Sequence, residues 1–178
     1  MFDATHAIQF DLSRGNVRSG EEQECVLLVP AAALARLTAA APAEASDALG
    51  SALGDAIGRR ARARLKEPGS DSIEAVVTQL AGEAALAGIG SVSIERWGRA
   101  VVVLVEGSPL ASALLAPLVG SALEAMFERR VWCALLSSEG QLARVLVASE
   151  SGTERVRDWI ASGVPWGSAL TRLQGEPA

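Results

Sequence analysis

An uncharged run over residues 107–123, set between two strand pairs, constrains the fold more than any other feature of the chain. Ahead of it, 91–94 and 100–105 flank the turn Trp97-Gly98. Behind it, 131–136 and 142–147 flank Glu139-Gly140. Strands joined by short Gly-containing turns pair antiparallel. A helix with no charge on any side has to be buried. The pattern predicts an α+β fold, with helices packed on one face of a mostly antiparallel four-stranded sheet. Val92 and Ile94 alternate with Ser91, Ser93 and Glu95, as in a one-faced strand, whereas 101–105 is apolar throughout, as in a central one. Pro117 falls inside the helix read over 107–129 and predicts a kink or a split there.

The rest of the chain builds around this centre. Ile8, Phe10 and Leu12 alternate with Gln9 and Asp11, so 7–12 reads as a half-buried strand. A turn at 13–16 and an apolar run at 25–29 complete an N-terminal β-hairpin, followed by a short helix from Pro30 to Ala41. A long helix follows over 44–66. Its stripe of Ala45, Leu49, Leu53, Ile57, Ala61 and Leu65 faces a core, and Gly50, Gly54 and Gly58 recur every four residues beside it. Each interior Gly costs roughly 0.5–1 kcal/mol relative to Ala, so three in register predict the close approach of another backbone. Either a helix of the same chain or the same helix of a second copy satisfies that spacing. Cations crowd the end of this helix, where the dipole favours them. A helix over 72–87, capped by Asp71 or Ser72, and a last one from about 153 to 162 finish the outline. The reading is a single domain over 1–178, with 1–42 as a sub-lobe and 43–173 as the α+β core.

Composition removes several function classes. Net charge is −5, which gives no electrostatic case for nucleic acid. Lys66 is the sole lysine among 16 basic residues, the bias of a high-GC bacterial genome, so Ala richness alone is a weak helix signal. The uncharged run carries Pro109, Pro117, Gly107, Gly120 and three serines, and it predicts no transmembrane segment. The opening Met1-Phe2-Asp3-Ala4-Thr5-His6 has no basic start and no apolar core, so no signal peptide is read and a cytoplasmic location is expected. His6 is the one histidine, and Cys25 and Cys133 form no CxxC pair, so neither a metal site nor another cofactor is expected. Both cysteines read as reduced, buried thiols within strands.

No motif names a reaction. A nucleophile needs a base beside it, and neither a G-x-S-x-G elbow nor a phosphate loop is present. Glu83, among Leu80, Ala84 and Leu86, is the one carboxylate in a position to be buried. It reads as a residue paired with an Arg, with a raised-pKa catalytic carboxylate as the alternative. Trp97 in a turn and Trp166 in a loop are candidate interface residues, while Trp132 and Trp159 read as core.

The order of elements also carries a resemblance. It rests on Val29-Pro30-Ala31-Ala32-Ala33-Leu34, the Gly-patterned helix from Ala48 to Leu65 and Leu80-Ala81-Gly82-Glu83. The helix from Gly107 to Phe127 and the hairpin Arg130-Val131-Trp132-Cys133…Glu139-Gly140-Gln141…Val147 extend it. Over about 15–148 the chain resembles the 4-vinyl reductase-like, hydrocarbon-binding superfamily, which shares its fold with TRAPP transport subunits. The resemblance implies dimerisation through helices and an apolar channel for an acyl-type ligand. Many bacterial members carry a cysteine cluster that this chain lacks. The layout of helices and hairpins is also similar, more vaguely, to roadblock/longin domains, which scaffold or regulate small GTPases.

The expectation is therefore a non-enzymatic, homodimeric adaptor or ligand-binding domain with a protein partner, a hydrophobic small molecule, or both. The alternative is a roadblock/longin-like regulator of a small GTPase in bacterial polarity or trafficking. Candidate ligand contacts are Leu53, Ile57, Leu80, Leu114, Leu118 and Cys133. Candidate interface residues are Gly50, Gly54, Gly58, Trp97 and Trp166.

Overall fold

The computed structural model describes residues 2, 4–5, 7–19, 24–65, 73–98 and 100–175. Side chains at 73 and 74 lie outside that description, as do His6, Lys66, and the Asp71 or Ser72 expected to cap the third helix.

Two antiparallel sheets organise the chain. Strands β1 (Ile8–Asp11), β2 (Asn16–Ser19) and β3 (Glu24–Val26) form the first, in that order. It has one strand more than the expected hairpin, because the chain pairs again directly after the Gly15 turn, aligning Phe10 with Val17 and Val17 with Val26. Only Cys25 and Val26 of the predicted 25–29 strand join the ladder, and Leu27, Leu28 and Val29 leave it exposed. Helices α1 (Ala31–Ala40), α2 (Ala43–Ala63) and α3 (Ile73–Leu86) follow.

The second sheet runs β4-β5-β7-β6, from β4 (Ser91–Trp97), β5 (Ala100–Glu106), β6 (Trp132–Glu139) and β7 (Leu142–Ala148). Helix α4 (Leu115–Phe127) joins its two hairpins, and α5 (Glu150–Ala161) and α6 (Trp166–Gly175) end the chain. The α+β class and the four antiparallel strands are as expected. Placing all helices on one face holds for α2, α3 and α4, whose Ile57, Leu80 and Leu118 share a core with Val103, Val105 and Val145. Helices α5 and α6 cover the other face, where Val156 and Leu170 meet Val102 and Leu146. The central strands β5 and β7 are apolar on both sides, so each side needs cover. Among the described residues, no helix is long and apolar enough to cross a membrane.

Pro117 does not kink a helix. Residues 107–111 stay irregular, a 3₁₀ turn spans Ser112–Leu114, and α4 starts at Leu115, which puts Pro117 in its first turn. The first-turn N–H groups have no intrahelical acceptor, so a proline there costs nothing.

The glycine ridge is used inside the chain. A Cβ at Gly50, Gly54 or Gly58 would lie 2.7, 2.1 and 2.3 Å from the carbonyl oxygens of Leu114, Leu118 and Ala122. The partner positions rise together, so α2 and α4 run in the same direction with their backbones in contact. A second copy cannot use that face of α2, and the expectation of these three glycines at an interface between copies is corrected accordingly.

Candidate functional site

A cleft of about 320 Å³ opens at the outer edge of β6. Its walls come from four elements. The first turns of α2 supply Asp47 and Ser51, and α4 supplies Pro117, Ser121 and Glu124. Trp132 and Cys133 come from the start of β6, Arg130 from the segment just ahead of it, and Arg157 reaches in from α5. Cleft and fold have the same origin: β6 is an edge strand, so its outward backbone groups need side-chain partners. Glu124 accepts the Val131 N–H at 3.0 Å, and Arg157 donates to the Cys133 carbonyl at 2.5 Å. The Arg130 guanidinium lies 6.0 Å from the centre of the Trp132 ring.

Of the six residues expected to contact a ligand, Cys133 lines this cleft. Ile57, Leu80, Leu114 and Leu118 are buried, and Leu53 packs against the same core. Asp47, Glu124, Arg130 and Arg157 come from separate parts of the chain, and sequence reading did not single them out as a site.

Burial pushes the Cys133 thiol up to about 12; the nearby Arg157 opposes the rise and Glu124 adds to it. The thiolate is the reactive form, so near neutral pH this buried thiol stays protonated and unreactive. Cys25 is exposed, contrary to the expectation of two buried thiols, and both cysteines are free. Native protein should therefore take up one equivalent of iodoacetamide, at Cys25, and a second only after unfolding. Peptide mass spectrometry reads this directly, and labelling of Cys133 in the native state would refute its burial.

Glu83 is 1% exposed and accepts from Arg60 Nε at 3.0 Å and Arg64 Nε at 2.7 Å. It pairs with arginine, as its sequence neighbourhood suggests. Arg60 also reaches Glu24 of β3 at 3.4 Å, which ties the first sheet to α2. Trp97 and Trp166 pack edge to face with centroids 5.3 Å apart, and the Arg144 guanidinium lies 4.7 Å from the Trp166 ring. Among the described residues, no group of three His, Cys, Asp or Glu side chains could hold a metal ion.

No family model matches the sequence, and no curated protein matches it. Among solved structures, the chain is similar to the crystal structure of the phenol-responsive sensory domain of the transcription activator PoxR with phenol. The TM-score is 0.67 at 12% identity, over 88% of this chain and 92% of that one. At that identity the likeness is one of fold.

Proposed function

We propose that this chain is a small-molecule-binding sensory or adaptor domain, non-enzymatic and homodimeric, with its ligand in the cleft beside α4 and β6. The cleft carries the reading. Its volume of about 320 Å³ is at the small end of ligand sites, suited to a molecule of single-ring size. The sensory domain of like fold binds phenol, a ligand of that size. Asp47, Glu124, Arg130 and Arg157 in the walls favour a compact polar ligand over the acyl chain implied by the TRAPP and 4-vinyl reductase resemblance. The non-enzymatic reading rests on Cys133 being held protonated and Glu83 being engaged with two arginines.

A homodimer is supported by the N-terminal region. Phe10, Leu12, Leu27, Leu28, Val29 and Leu37 are between 50% and 88% exposed. They belong to the first sheet, the segment that follows it and α1, and exposed large apolar side chains gathered in one region mark an interaction surface. Pairing this face with its copy in a second chain buries it on both. The region that dimerises is then the first sheet and α1, in place of the glycine ridge.

Two measurements test the proposal. Ligand-observed NMR with phenol and other single-ring compounds should show saturable binding that Ser121→Trp, which fills the cleft, abolishes. Absence of binding by any of them overturns the cleft as a ligand site. Sedimentation velocity at tens of micromolar should show a dimer that Leu27→Glu with Leu28→Glu converts to a folded monomer. A wild-type monomer at that concentration overturns the dimer.

A further inference from the structure

The walls of the cleft are charged with opposite sign. On the helical side stand two carboxylates, Asp47 of α2 and Glu124 of α4. On the side of β6 and α5 stand two guanidiniums, Arg130 and Arg157. Among the described residues, none of the four is in an ion pair, although other acids and bases of the chain pair readily. Glu124 is bonded to the backbone just ahead of β6, so the acidic and basic groups line one cleft without meeting as ion pairs. Their other bonds hold them there: Glu124 on the Val131 N–H, Arg157 on the Cys133 carbonyl, and Arg130 over Trp132. Cys133 lines the same cleft; Arg157 lowers the pKa of its thiol and Glu124 raises it. Trp132 and Pro117 supply flat apolar surface between the charged rims.

We infer that the cleft selects a small planar zwitterion, a molecule with one ring or flat apolar body that carries both an anionic and a cationic group. This rests on the reading of the cleft as a small-molecule site. The anionic group is taken by Arg130 and Arg157, whose forked donors suit a carboxylate. The cationic group is taken by Asp47 and Glu124. The flat body lies on Pro117 and on the part of Trp132 that the Arg130 guanidinium leaves open. A neutral molecule of the same size would displace water from these charged groups and return no opposite charge to them, and that difference gives the discrimination.

Isothermal titration calorimetry with four probes tests this: L-phenylalanine, phenylacetate, phenethylamine and phenol. Phenylalanine should bind at least tenfold more tightly than each of the other three. Asp47→Asn should weaken phenylalanine to the level of phenylacetate and leave phenylacetate unchanged. Arg130→Gln should weaken phenylalanine to the level of phenethylamine and leave phenethylamine unchanged. Both residues are exposed, so unchanged melting temperatures verify that each variant is folded. Binding of phenol, phenylacetate or phenethylamine as tight as that of phenylalanine overturns the charge selection and leaves the small-molecule reading standing. Binding of none of the four overturns both.

Discussion

Gly54→Ala should lower the free energy of unfolding by about 3 kcal/mol, at the upper end of what overpacking usually costs. The added Cβ would sit 2.1 Å from the Leu118 carbonyl oxygen, 2.8 Å from its carbon and 2.9 Å from its Cα. All three atoms are backbone, so no rotamer change relieves the clash. Relief requires α4 to move away from α2, and that opens the core containing Ile57, Leu118 and Ala122. The gain in helix propensity from Gly to Ala, at most ~1 kcal/mol, acts in the opposite direction and is too small to compensate. Gly58→Ala should follow closely, with a Cβ 2.3 Å from the Ala122 oxygen, and Gly50→Ala should cost least, at 2.7 Å from the Leu114 oxygen. Gly167 in α6 has nothing within 4 Å of an added Cβ, so Gly167→Ala should be neutral or stabilising by a few tenths of a kcal/mol. Urea unfolding of the four variants gives the ranking. A Gly54→Ala protein within 0.5 kcal/mol of the parent would mean that the two backbones are not in contact.

The same ridge shows what sequence can and cannot say. A four-residue spacing of glycines states that a backbone comes close, and it is silent on whose. Strand alternation in 91–94 and the solid apolar run at 101–105 correctly separate the edge strand from the central one, because burial on one or two faces acts residue by residue. Cover for the second face is harder to read. It depends on α5 and α6, whose short amphipathic patterns say only that each has a buried side. Pro117 misleads for a related reason: with no charge anywhere in 107–123, nothing marks where the helix starts, and the proline itself is the better signal for its first turn. The cleft is almost invisible in the sequence, because its four charges come from α2, α4, the approach to β6, and α5. One trace of it is legible. Neither Asp47 nor Glu124 has a cation three or four residues away on its own helix, so neither is neutralised within it.

Glu83→Ala should cost about 3–5 kcal/mol, because it removes the one carboxylate that two half-buried guanidiniums share. Arg60 and Arg64 are one helical turn apart on α2, each 18% exposed at the side chain, and neither can reach bulk water without leaving its packing. Arg60→Ala should cost less, since Glu83 keeps the 2.7 Å contact with Arg64. The double variant should then lose less than the sum of the two, with a coupling of roughly 1–2 kcal/mol in a double-mutant cycle. The effect should also spread beyond α2 and α3. Arg60 is the residue through which Glu24 of β3 touches the core, so loosening it should raise amide exchange in β1, β2 and β3 more than in β5 or β7. A carboxylate that served as a catalytic acid would be held by weaker or fewer partners and would face open space; this one is enclosed and faces two cations. If Glu83→Ala unfolds within 1 kcal/mol of the parent, the arginines have found water after all. The carboxylate is then available for other work, and the case for a purely binding domain loses one of its two supports.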